Sequence, residues 1–166
     1  NLEELVVRNT FFQDLEYVLE LKQHPLLKTL SLENFTEVSS LHGLDQLAFL
    51  EELELKNVQV INDIVSQISR ISKLKKLVLH NLDSLNSWVS LAPLRELEHL
   101  SLANLPVTMD INDDIKDMLK LKVLEIVNLD APTLFPDNIN QLSALRQLNL
   151  SGLSFNNFSM DPAAFT

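Results

Sequence analysis

The 166-residue chain contains no cysteine, so it forms neither a disulfide nor a thiolate metal site, and a reducing intracellular compartment, cytoplasm or nucleus, is the expected setting. Only two glycines are present, which leaves no glycine-rich loop to cradle a phosphate. Basic residues are in the minority: 13 Lys and Arg against 23 Asp and Glu give a formal charge of −10 and a pI near 4.7. Nucleic-acid backbones and anionic membrane surfaces both select basic faces, so neither is an expected partner. No apolar run approaches the roughly 20 residues that cross a bilayer. The opening stretch NLEELVVRN has no positively charged segment ahead of an apolar one. What the chain does have is 46% hydrophobic residues, enough for one continuous core.

Those residues recur at a fixed interval. A leucine opens the same six-residue pattern at Leu2, Leu27, Leu50, Leu74, Leu97, Leu121 and Leu145, with separations of 25, 23, 24, 23, 24 and 24 residues. In LEELVV, LKTLSL, LEELEL, LKKLVL, LEHLSL, LKVLEI and LRQLNL the first, fourth and sixth places are apolar, and the alternation over the last three is a strand signal. Period and pattern together resemble the leucine-rich repeat family, whose strand-and-return units stack into a solenoid. The resemblance covers residues 1–166 and implies an α/β fold: a single domain of seven repeats, with a parallel sheet on the concave side and short helices or turns on the convex side. Strands are expected to centre on 4–8, 29–33, 52–56, 76–80, 99–103, 123–127 and 147–151. Leu2 already falls in a strand, and the chain stops short of an eighth repeat, so the segment is expected to be an excerpt of a longer array or multidomain protein. Other domains would then cover the solenoid ends.

The return segments fit this frame. Leu41, Ile64, Trp88, Ile111 and Phe135 fall at the fifteenth place of their repeats, where an outer element points inward, so Trp88 is expected in the core. Residues 110–120 and 135–145 read as short helices with Ile115, Met118, Ile139 and Leu142 on the buried side, whereas SSLHGLDQLAFL reads as a looser turn. An asparagine closes the strand at the eighth place in six repeats (Asn9, Asn34, Asn57, Asn81, Asn104 and Asn128), and Gly152 takes that place in the seventh. The familiar repeat has its inward asparagine at the ninth place, which here is mostly apolar. A structural ladder is still expected, because asparagine satisfies nearby backbone groups and tolerates turn conformations that other residues avoid. The second place alternates in sign, Glu3, Lys28, Glu51, Lys75, Glu98 and Lys122, and parallel stacking sets such neighbours about 4.8 Å apart. These charges read as architecture rather than recognition.

No catalytic constellation emerges. His80 and His99 are set on the order of 13 Å apart along the strand direction, too far to share a metal. Glu52 and Glu54 face the same way, with Lys76 across from Glu52, and read as salt-bridge partners. Ser31 and Ser101 project from the sheet without a histidine placed as base. The acceptor triplets NFT at 34–36 and NFS at 157–159 are what an asparagine-rich chain yields by chance. No enzyme activity, cofactor or metal is expected.

What remains is the concave face, formed by the third, fifth and seventh places. In repeats one to three it is mainly charged: Glu4, Arg8, Glu33, Glu52, Glu54 and Lys56. In repeats four to seven small and apolar residues gather, and Val78, His80, His99, Ser101, Ala103, Val123, Glu125 and Val127 form the candidate partner-binding site, with the valines exposed. The convex face, or the lateral edge around Phe11, Pro106 and Asp130, is the alternative surface. The segments LKTLSLENF and LEELELKNV resemble the repeat regions of F-box proteins. That resemblance implies a substrate-receptor arm of a ubiquitin ligase, holding its target on the concave face while a preceding segment binds the Skp adaptor. FPDNINQLSALRQLNLSGLSF instead resembles the short repeats of nucleotide-binding immune receptors and scaffold proteins, which implies a ligand-sensing or autoinhibitory domain. A third possibility is a set of repeats that targets an attached catalytic domain.

Overall fold

Alternating leucines bury one side of each strand and leave the other outward, and stacking such strands in parallel aligns the leucines into columns. The computed structural model describes residues 2–9, 23–38, 41, 43–60, 64–107, 111–129 and 137–153. Within them, strands β1 (Glu4–Arg8), β2 (Thr29–Val38), β3 (Glu52–Val60), β4 (Lys76–His80), β5 (His99–Ala103), β6 (Val123–Val127) and β7 (Gln147–Ser151) form one seven-stranded sheet in sequential order. Every pairing is parallel, and third places meet third places throughout, as in Glu52↔Lys76 and His99↔Val123. This is a leucine-rich repeat solenoid of seven repeats; five strands coincide with the expected spans, and β2 and β3 start where expected but run on to Val38 and Val60.

The register is held on two sides. Ahead of each strand, the second-place carbonyl accepts two N–H donors from the next repeat: Lys28 O takes Glu51 N and Glu52 N, and Glu98 O takes Lys122 N and Val123 N. Its side chains pair as their alternating signs require, Lys28 with Glu3 at 2.7 Å, Lys75 with Glu51 at 2.8 Å and Lys122 with Glu98 at 2.5 Å. Behind the strands, Leu30, Leu53, Leu77, Leu100 and Leu124 are fully buried in one continuous core. Each contributes about 1.5–3 kcal/mol of apolar burial.

The asparagines resolve the eighth-place departure. Asn9, Asn34, Asn57, Asn81, Asn104 and Asn128 all adopt left-handed backbone with φ between 49° and 61°, and Gly152 follows at 66°. Left-handed backbone is costly for most L-residues and mild for asparagine. This turn breaks the strand alternation, so the eighth side chain points outward and the ninth points in: Phe35, Val58, Leu82, Leu105 and Leu129 are buried. The ladder therefore lies on the outside. Asn57 Nδ2 donates to Asn34 Oδ1 at 2.6 Å, Asn104 Nδ2 to Asn81 Oδ1 at 2.5 Å, and the Asn34–Asn9 and Asn81–Asn57 pairs repeat the bond. Gly152 ends the row for a steric reason: a Cβ there would lie 1.8 Å from Asn128 Oδ1.

The outer segments vary more than the strands. Helix α1 (Ile64–Ile68) buries Ile64, Val65 and Ile68, and α2 (Ile111–Ile115) buries Ile111 and Ile115, with Met118 beyond it also in the core. Leu44–Gln46 and Asp137–Gln141 are 3₁₀ turns, so the helix expected over 135–145 is shorter and tighter than its pattern suggested. Trp88 is half-buried rather than fully in the core, because its indole reaches a polar partner: Nε1 donates to Asp114 Oδ2 at 2.9 Å. Asp114, 1% exposed, also accepts Leu91 N at 2.6 Å, and burial raises its pKa against these stabilising bonds. The carboxylate thus pins the helix-free return of repeat four onto α2. Thr10, Phe11, Asp130, Phe135 and the NFS triplet lie outside the described residues, while Pro106 is exposed.

Candidate functional site

In-register stacking turns the outward residues into three rows across the sheet. The fifth-place row reads Val6, Ser31, Glu54, Val78, Ser101, Glu125 and Asn149. Three residues expected at the surface are in fact its floor: Val78 is 4% exposed, Ser101 3% and Ala103 8%. Short side chains in a parallel stack sit below longer neighbours one strand spacing away, and outward direction alone does not expose them. His80, His99, Val123, Glu125 and Val127 remain half-exposed above that floor.

The serine expected to lack a histidine has one. His80 Nε2 lies 2.8 Å from Ser101 Oγ, reaching diagonally from the seventh place of β4 to the fifth place of β5. Diagonal neighbours across a sheet are within reach of long side chains, a relation that comparing places along one strand missed. Ser101 Oγ donates to Glu125 Oε2 at 2.8 Å. Its single proton is thereby committed, and the hydroxyl accepts from His80 rather than giving up a proton to it. Glu125 also meets His99 Nε2 at 3.9 Å and accepts from Gln147 Nε2 at 3.3 Å. Burial lowers the pKa of both histidines; for His80 the Lys56 charge adds to the effect, while for His99 the Glu125 carboxylate opposes it.

Glu54 takes the salt bridges that the sequence suggested for Glu52. Lys76 Nζ sits 2.5 Å from Glu54 Oε1 and Lys56 Nζ 3.2 Å from Oε2. Burial works against its charge, but the hydrogen bonds from Lys76 and Lys56 win and hold its pKa at about 2. Lys76 chooses Glu54 because the fifth place lies toward the sheet centre, where Ser31 and Lys56 also converge. Among the described residues no group of three metal-ligating side chains converges, and no helix is long and apolar enough to cross a membrane.

No family model matches the sequence, and no curated protein matches it either. Solved structures do match in fold. An internalin C2 from Listeria monocytogenes superposes with a TM-score of 0.66 at 20% identity, over 95% of this chain and 74% of that one. A second Listeria internalin gives 0.59 at 15% identity, over 94% of this chain and 49% of that one. The ectodomain of the Arabidopsis thaliana membrane receptor kinase GASSHO1/SCHENGEN3, solved in complex with CASPARIAN STRIP INTEGRITY FACTOR 2, gives 0.59 at 20% identity, over 77% of this chain and 16% of that one. This chain thus spans about half or less of the length of the latter two. At such identities the likeness establishes the repeat fold.

Proposed function

We propose that the chain is a non-catalytic protein-interaction module that binds a partner on the concave face of β4 to β7. The observation that carries this reading is the half-exposed strip of His80, His99, Val123, Glu125 and Val127 over a floor of small buried side chains. Apolar surface that is open to solvent on a rigid sheet, beside groups able to give directional hydrogen bonds, is the usual make-up of an interface. A repeat ectodomain with the same fold was solved in complex with another factor, which makes the reading natural for this architecture. Val78, Ser101 and Ala103 act as support for the strip rather than as contacts.

The narrower readings rest on the strand motifs: the substrate-receptor arm of an F-box ubiquitin ligase, the sensing domain of an immune receptor or scaffold, or targeting repeats of an enzyme. Sequence flanking this segment separates them through an F-box, a nucleotide-binding domain or a catalytic domain. The intracellular setting is supported by the absence of cysteine. The concave site is tested with Val123→Asn and Val127→Asn together, which remove apolar contact and leave the inward leucines intact. Partner capture by wild type and double variant, with matched thermal melts, is expected to show loss of partners at unchanged fold. A folded variant that retains every partner overturns the site and turns attention to the convex face or the edge around Pro106.

A further inference from the structure

We infer that Glu125 is an unfilled cation seat that receives an arginine or lysine side chain of the protein partner, a reading that rests on the concave site proposed above. The fifth-place row carries the triplet Val–Ser–Glu twice, as Val6, Ser31, Glu54 and as Val78, Ser101, Glu125. The two copies are three strands apart in one unbroken register. In both, the serine hydroxyl donates to the glutamate, at 3.4 Å from Ser31 and 2.8 Å from Ser101.

The copies differ in what completes the carboxylate. At Glu54 two ammonium groups do so, one from two residues along the same strand, Lys56, and one from the third place of the next strand, Lys76. Shifted by three repeats, those positions hold Val127 and Gln147. Valine donates nothing, and the glutamine amide gives one neutral hydrogen bond at 3.3 Å. No lysine or arginine among the described residues lies in ion-pair distance of Glu125; its basic neighbours are two histidines, His99 at 3.9 Å and His80, which reaches it through Ser101. Glu125 is also more open, with 27% of its side chain exposed against 14% for Glu54. Its own fold thus shows what a finished carboxylate at this register looks like, and Glu125 lacks that finish on its open side.

A partner's cationic side chain matches the vacancy in charge and shape. The head meets the carboxylate, and the aliphatic stem lies along half-exposed Val123 and Val127. The formal charge of −10 favours approach of basic partners at long range. A divalent ion is a poorer occupant, because no further carboxylate joins Glu125 in a metal-ligating group among the described residues.

The test selects binders from a displayed library of random 12-residue peptides and measures purified peptides against the whole chain and its variants. Selected peptides are expected to share an Arg or Lys. Replacing that arginine by citrulline, or Glu125 by glutamine, should weaken binding by about tenfold or more at unchanged melting temperature. Grafting the Glu54 arrangement, Val127→Lys with Gln147→Lys, should abolish the charge-dependent part by filling the seat from within. Peptides lost on Val123→Asn with Val127→Asn but indifferent to Glu125→Gln overturn the seat and leave the concave site standing. Peptides indifferent to both sets, or no binders at all, overturn the seat and count against the concave site. Displacement of peptides by spermidine or Ca²⁺ at concentrations comparable to the peptide's own assigns the seat to a free cation and overturns the partner side chain.

Discussion

The two halves of the sheet share one scaffold and present different faces. In β1 to β3 and in β4 to β7 the pairing of third to seventh places, the second-place carbonyl row and the left-handed turn at the eighth place recur, and only β2 and β3 pair further, past a register shift between Phe35 and Val38. Outward, charges of the first half are paired: Arg8 meets Glu33 at 3.2 Å, and Glu54 is ringed by Lys56 and by Lys76 of the adjoining β4. The second half leaves valines and a carboxylate without a permanent cation beside them. Residues that the scaffold does not constrain are those in which function can be written, so the difference between the halves is the ground on which the site is proposed.

The comparison breaks first if the scaffold is unequal. Leu53→Ala and Leu100→Ala each empty a fully buried site and should each cost about 3 kcal/mol in chemical denaturation. A loss below about 1 kcal/mol at either site would mean that its strand is not packed into the shared core. Asp114→Ala comes next: it strands Leu91 N–H and the Trp88 indole without an acceptor, at a cost of about 2–3 kcal/mol. The Trp88 emission should shift to the red before global unfolding.

Glu54→Gln should lower stability by about 2 kcal/mol, since it removes charged hydrogen bonds and leaves two ammonium groups facing each other, while Glu125→Gln should change it by less than about 0.5 kcal/mol. Equal losses would end the distinction between a finished and an open carboxylate. Acid titration sharpens it further. Between pH 4.5 and about 2 the unfolded chain binds a proton at Glu54 that the folded chain refuses, so stability is full above 4.5 and is lost on descent through that window. Melts of Glu54→Gln should lack this limb. His80 and His99 take up protons in the unfolded chain near 6.5 and in the folded chain only lower. Stability from the second half therefore declines as pH falls below about 6.5, and the decline should vanish in His80→Gln with His99→Gln. Smallest is Asn34→Gly against Asn81→Gly: glycine keeps the left-handed turn and loses exposed side-chain bonds, and each should cost about 1 kcal/mol or less.

Where every strand starts was legible because seven copies of one pattern report the same local rule, and each copy corrects errors in the others; the continuation of β2 to Val38 and β3 to Val60 lies past the repeated pattern and was not. The sign of the second-place row was legible for the same reason. Trp88 and Asp114 were not, since their bond joins two return segments 26 residues apart, and those segments obey no shared spacing. The exposure of Val78 and Ala103 was misread because facing outward was equated with reaching solvent. His80 and Ser101 were missed as a pair because their contact is diagonal. The Val–Ser–Glu doublet was present in the sequence all along, but its two carboxylates differ only through neighbours on adjacent strands.

The asparagine ladder also bears on what joins each strand to the next. Amide rungs join β1 through β5, and among the described residues none bridges Asn104 to Asn128 or Asn128 to the glycine at 152. The outer amide row thus adds a rung at the first four junctions and none at the last two, where side-chain links are instead the Lys122–Glu98 pair and the bonds that Ser101 and Gln147 make to Glu125. At β6 the side-chain stitching between strands therefore passes from the outer amide row to Glu125 itself. On the reading proposed above, a partner that engages Glu125 competes for a group that also joins β5 to β7.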